Sequence, residues 1–229
     1  WIAAHRRSLN TLFEGDALIL VCDVGGGTTD FSLIRVSEEE GDLAFERIAI
    51  GEHLLLGGDN LDLTLAVLVE QKLGGSAKLT AAQRQTLRRK CSAAKEQLLS
   101  DPSCASVPIT ILGAGRGVVG GGMSAELTRD EVVRALLDGF LPLTARDDLP
   151  ARDRRSGLRE LGLPYETEPA ITKHLAAFLE RAGRAAGDPE ALRPTAVLFN
   201  GGFFTPSLAR DRVVEALEQW FGDRPAVLE

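Results

Sequence analysis

Apolar residues run without interruption from Ala17 to Cys22, the pattern of a strand buried on both faces, and alternate with polar ones from Phe31 to Val36, the pattern of its half-buried neighbour. A further alternating stretch, Asp42 to Ile50, completes an expected three-strand meander from Leu18 to Ile50. The period then lengthens. Leu61, Leu65 and Leu68 keep helical spacing in a helix from about Asp59 to Leu73, which Gly74-Gly75-Ser76 ends. Thr80 caps a second helix reaching about Leu99, with Arg84, Arg88, Arg89 and Lys95 on its wetter faces. Stretches 105–112 and 118–127 predict a hairpin, and Thr128-Arg129-Asp130-Glu131 reads as a capping box opening another helix. A last strand near Val197 and a last helix close the pattern.

The candidate chemistry sits in the bend between the first two strands, Asp23-Val24-Gly25-Gly26-Gly27-Thr28-Thr29-Asp30. Glycines there let successive amides approach an anion closely. A carboxylate beside bound phosphate is repelled unless a cation or an attacking water lies between, so Asp23 and Asp30 point to Mg²⁺-linked phosphate chemistry. Thr28 and Thr29 add hydroxyl donors. The competing reading is a plain hairpin turn with solvated acidic flanks. Neither the Gly-x-x-x-x-Gly-Lys-Ser/Thr loop nor a Gly-x-Gly-x-x-Gly turn leading straight into a helix is present at this bend.

Composition narrows the classes. Thirty-three acidic against 26 basic residues give a net charge of −7, which argues against nucleic acid or an anionic membrane as partner. No run nears the roughly 18 apolar residues of a membrane span. Cys22, Cys91 and Cys104 are too scattered for a disulfide framework or zinc site, so a cytoplasmic location is the expectation, with Cys91 read as a buried thiol. The glycines of 113–117 and 120–122 read as loop, and His174 as a surface or structural residue on an amphipathic helix rather than a catalytic one.

Asp-Val-Gly-Gly-Gly-Thr-Thr-Asp-Phe-Ser resembles the second phosphate motif of actin-like ATPases, and the chain downstream resembles the seventy-kilodalton heat-shock (DnaK-type) chaperones in a divergent bacterial-type branch. The narrower likeness is carried by Leu56-Gly57-Gly58-Asp59-Asn60-Leu61-Asp62, by Cys91-Ser92-Ala93-Ala94-Lys95 and by Val197-Leu198-Phe199-Asn200-Gly201-Gly202-Phe203-Phe204-Thr205-Pro206. The resemblance implies an α/β fold: an actin-like (ribonuclease H-like) lobe with a mixed sheet and helices, plus a smaller α+β helical-hairpin subdomain. It places 1–56 and 170–229 in the nucleotide-binding core, and 57–169 in the subdomain with a branch-specific insertion near 144–169. It also implies that the chain is the second lobe only. Trp1 then falls in the helix crossing between lobes, and the end near Glu229 precedes the lobe's final helix.

The implied activity is Mg²⁺-dependent hydrolysis of ATP to ADP. Gly25, Gly26, Gly27 and Thr28 would hold phosphate, with Asp23, Thr28 and Asp30 as catalytic residues. Asp23 would contact the metal through water. Lys95 would reach the ribose, Gly201 and Gly202 the α-phosphate and adenosine, and Phe204 would stack on the purine. Ser92, Glu96 and Leu99 depart from the family's adenosine wall. Implied partners are the missing first lobe, client polypeptides and a nucleotide-exchange factor. Two other readings stay open: an actin-like sugar or metabolite kinase lobe, and an interaction module that has lost its nucleotide.

Overall fold

A computed structural model describes residues 17–39, 42–74, 79–112, 122–150, 159–160, 163–164, 166–187 and 192–228. The expected glycine loop at 113–117 and the start of the second hairpin strand at 118 lie outside them. Two compact units emerge: one from the described residues up to Gly57 with those from Leu143 onward, the other from Gly58 to Pro142.

The first unit is a five-stranded sheet. Strands β1 (Ala17–Val24), β2 (Thr29–Glu39) and β3 (Asp42–Ile50) form the expected meander. On its other edge β1 runs parallel to β8 (Ala196–Asn200), which in turn pairs with β9 (Ala226–Leu228), for the order β3-β2-β1-β8-β9. Both faces of the central strand are covered, hence its unbroken apolar sequence. Ala17 and Ile19 join Val36, Ala196, Leu198 and Leu228 in one cluster. Leu18, Leu20 and Cys22, which alternate with them along β1, are buried too. Phe31 of β2 stacks on Phe178 at 5.8 Å between ring centroids. Phe178 belongs to α4 (Ile171–Ala186), whose Ile171, Leu175, Phe178, Leu179 and Ala182 form a buried stripe at helical spacing. Helix α5 (Ser207–Phe221) follows β8 after a single 3₁₀ turn, Gly202–Phe204.

The second unit packs α1 (Gly58–Lys72) and α2 (Ala81–Ser100) with a hairpin of β4 (Ser106–Ile111) and β5 (Met123–Thr128). Both expected caps are present. Thr80 and Gln83 form a full capping box at α2, and Thr128 and Glu131 form another at α3 (Arg129–Arg134). Helix α3 then widens into a π-helical turn, Ala135–Phe140, closed by the Leu141 N–H donating to Leu136 O at 2.9 Å.

The boundary corrects one expectation. The resemblance places residues 143–169 in the helical subdomain, yet the described part of this stretch belongs to the first unit. Its contacts explain why. Trp220 Nε1 donates to Thr144 O at 2.7 Å, the Arg146 guanidinium lies 4.4 Å over the Phe221 ring, and the Glu166 N–H donates to Leu55 O at 3.3 Å. Within the same unit β6 (Arg159–Glu160) and β7 (Leu163–Pro164) make a two-residue ladder.

Candidate functional site

The ends of β1 and β8 meet three close-packed backbone segments. Val24 pairs with Thr29, leaving Gly25–Thr28 as a four-residue hairpin closed by the Gly25 N–H donating to Thr28 O at 2.9 Å. That amide is therefore spent on the bend, and the hairpin's remaining N–H groups are those of Gly26, Gly27 and Thr28. Gly57 presses on the hairpin from one side: a Cβ there would lie 2.6 Å from both Gly25 O and Gly26 O. Gly201 presses from another. Its φ of 84° and ψ of 155° belong to a region essentially reserved for glycine, and a Cβ would fall 2.1 Å from Val24 O. At Gly27 and Gly202, by contrast, nothing lies within 4 Å of where a Cβ would point. The result is a tight glycine floor with space above it, at the carboxyl ends of parallel strands where open α/β sheets bind ligands.

Three polar residues share one row of the sheet beside this floor. Asp23 is paired in register with Asp30 on β2 and with Asn200 on β8. Asp23 is exposed, and Asp30 is held by His53, whose Nδ1 lies 2.9 and 3.1 Å from its two carboxylate oxygens. Thr29, the neighbour of Thr28, is buried instead, its hydroxyl donating to Leu56 O at 2.8 Å. Cys22, one step inside, is fully buried, and burial raises its thiol far above the ordinary range.

One expected contact is corrected by the packing. Phe204, read as a stacking ring for a purine, is 3% exposed. Phe199 at 4.6 Å and Phe203 at 5.7 Å pack against it, an aromatic cluster at the turn that occupies its ring. His174 is structural as expected, buried on α4 with Nε2 2.9 Å from Glu168 O.

Lys95 lies in the second unit. Its Nζ is 2.7 Å from Asp62 Oδ1, joining α2 to α1. Cys91, one turn earlier, is buried; burial and the nearby Asp62 carboxylate push its thiol up to about 12, which disfavours the thiolate. Among the described residues no group of three His, Cys, Asp or Glu side chains is arranged to hold a metal ion, and no helix is long and apolar enough to cross a membrane.

Sequence reasoning overlooked His53, Asn200 and the close-approach role of Gly57. The last had a signal in the Leu56-Gly57-Gly58 motif. Asn200 lay within the Val197–Pro206 motif, whereas His53 is brought to the site by the backbone bonds that tie the 51–57 segment to β2.

A mixed sheet with helices, with a glycine hairpin between its antiparallel strands and a glycine turn after the parallel one, is consistent with the actin-like ATPase fold. Comparison with known proteins narrows the class. The model of the Hsp70 protein family matches residues 10–142, more than half of the chain, and the chain belongs to that family. Relatives include chaperone protein HscA homologs. That of Pseudomonas fluorescens (strain SBW25) is 34% identical over 159 residues, covering 69% of this chain and 22% of the relative. The Pseudomonas aeruginosa (strain LESB58) protein is 34% identical over 153 residues, 66% of this chain and 21% of the relative. In Azotobacter vinelandii (strain DJ / ATCC BAA-1303) the figures are 29% over 174 residues, 76% and 24%. The chain thus spans about a fifth of the length of the curated relatives it matches.

Proposed function

We propose that the chain is the second lobe of the ATP-binding domain of a chaperone-like ATPase, holding Mg·ATP or Mg·ADP with a first lobe and coupling hydrolysis to the binding of client polypeptides elsewhere in the protein. The observation that carries this reading is the glycine floor at Gly25–Thr28, Gly57 and Gly201, with open space at Gly27 and Gly202 beside an exposed Asp23. Such a cradle fits a polyphosphate. The amides of Gly26 and Gly27 and the Thr28 hydroxyl donate to phosphate oxygens, and Gly201 and Gly202 allow close backbone approach nearer the adenosine. Bound Mg·ATP supplies the scissile anhydride and the cation that offsets its charge. Asp23 would hold that cation through water, and Asp30 would help to orient the attacking water. Lys95 keeps its ribose role as part of the proposal, a contact that competes with its ion pair to Asp62.

A nucleotide-exchange factor is the partner proposed for the helical unit, and a cytoplasmic location goes with the reading. Burial of Phe204 favours the interaction-module alternative to one extent: it removes a ring from the base site. The test is Mg·ATP binding and turnover by the full-length gene product and by its Asp23→Ala variant. We expect turnover in the first and a loss of about a hundredfold or more in the second. Absence of binding and turnover in both overturns the ATPase reading in favour of a nucleotide-independent module.

A further inference from the structure

We propose that His53 is a positioning residue for the reaction, holding the Asp30 carboxylate in the orientation its proposed role requires; this rests on the ATPase reading above. Asp30 stands directly across β1–β2 from Asp23, and like charges so placed repel. An aspartate at a strand end also has several staggered rotamers. Left alone, Asp30 would turn away from Asp23 and sample them. His53 opposes both by engaging the two oxygens at 2.9 and 3.1 Å with one ring nitrogen, in a pair that stays half open to solvent.

The placement of His53 is set by backbone rather than by the pair itself. The Gly51 N–H donates to Phe31 O at 2.8 Å, and Thr29 and Leu54 exchange N–H···O bonds of 3.0 and 3.1 Å. The Thr29 hydroxyl adds the bond to Leu56 O. These anchors flank Asp30 on β2 and flank His53 on the 51–57 segment, so the two side chains are brought together by register. The other acid on the segment does not compete for the imidazole, because Glu52 is engaged by Arg181 at 2.6 Å. Asp30 is the charged group in contact with the ring among the described residues, with Asp23 across the ladder from it.

The contact and its use are tested separately. In ¹⁵N spectra of the chain's imidazoles, recorded above the titration of all three histidines as read from the spectra themselves, we expect His53 as the Nδ1–H tautomer donating to Asp30. His53→Asn identifies its signals among those of the three histidines. The tautomer should revert in Asp30→Ala; an Asp30→Ala spectrum unchanged at His53 overturns the proposal. In the full-length gene product, His53→Ala should lower kcat for Mg·ATP about tenfold with KM held within about twofold. His53→Asn, which can present an amide N–H where Nδ1–H stood, should recover most of it. In an Asp30→Ala background His53→Ala should change nothing further. Wild-type turnover in His53→Ala, or an equal loss in both backgrounds, overturns the positioning role alone. A wild-type protein that neither binds nor hydrolyses Mg·ATP overturns the ATPase reading and the role built on it together.

Discussion

Around the glycine hairpin the first unit is packed backbone against backbone, whereas the helices of the second are packed side chain against side chain. Gly57 and Gly201 sit where a Cβ would overlap main-chain oxygen at 2.6 and 2.1 Å. Leu61, Leu65, Leu87 and Leu98 in α1 and α2 are fully buried and fill space in the ordinary way of a helical core. The difference teaches where each unit tolerates change. A side-chain core relaxes around a lost methylene, and its losses are graded. A main-chain contact has no rotamer to adjust, so one added carbon must move a strand end or a turn.

The strongest way to break this contrast is to add that carbon. Gly201→Ala combines a backbone conformation that L residues avoid with an overlap on Val24 O, and we expect a loss of about 4 kcal/mol or more in denaturant unfolding. Gly202→Ala, one residue on and facing open space, should stay within about 1 kcal/mol of the parent. Equal effects at the two positions would refute the claim that the floor is set by close approach rather than by glycine's flexibility.

Within the second unit, the side chains that cross from α2 to α1 should show the graded behaviour. Lys95 and Asp62 are 14% and 9% exposed and 2.7 Å apart. Removing one partner leaves the other charge poorly solvated, so Lys95→Ala should cost about 2 kcal/mol, while Lys95→Met with Asp62→Leu should recover most of that. A thermal unfolding series reads both. No recovery in the double variant would mean that the pair is needed for more than its mutual charge compensation.

What could be read in the sequence follows the same division. Element type and most boundaries were legible wherever one residue's chemistry decides them: the unbroken apolar run of a strand covered on both faces, the Thr80 and Thr128 caps, the helical spacing of Leu61 and Leu65. The glycine hairpin stood out as the candidate site because glycines between paired acids are chemically unusual; its role as a phosphate grip is part of the proposal. Relations fixed only by folding were not legible. His53 and Asp30 lie 23 residues apart and meet because the 51–57 segment is bonded to β2 on either side of them. Residues 143–150 join the first unit through Trp220 and Phe221, whose aromatic character says that they need partners but not which ones. Phe204 was misread for a related reason: an aromatic beside a glycine turn serves a base or a core equally well until its neighbours Phe199 and Phe203 are placed.

The smallest expected effect sharpens the comparison through pH. Glu131 closes the α3 capping box and lies 2.6 Å from Lys72 Nζ. Burial works to raise its pKa, but the hydrogen bonds from Lys72 and Thr128 outweigh it and hold the carboxyl below its ordinary 4.5. A carboxyl depressed on folding stabilises the native state fully above its unfolded pKa, and that contribution disappears as pH falls through the folded value. Denaturant unfolding from pH 7 down to about 3 should therefore show an acid limb that weakens in Lys72→Met. Thr128→Ala should lose about 1 kcal/mol at neutral pH and share the shallower limb. Neither variant should alter the response to Gly201→Ala, since the two act in different units through different kinds of contact. An acid limb identical in all three proteins would show that the capping carboxylate is held by solvent rather than by Lys72 and Thr128, and would remove the electrostatic part of the second unit's side-chain packing.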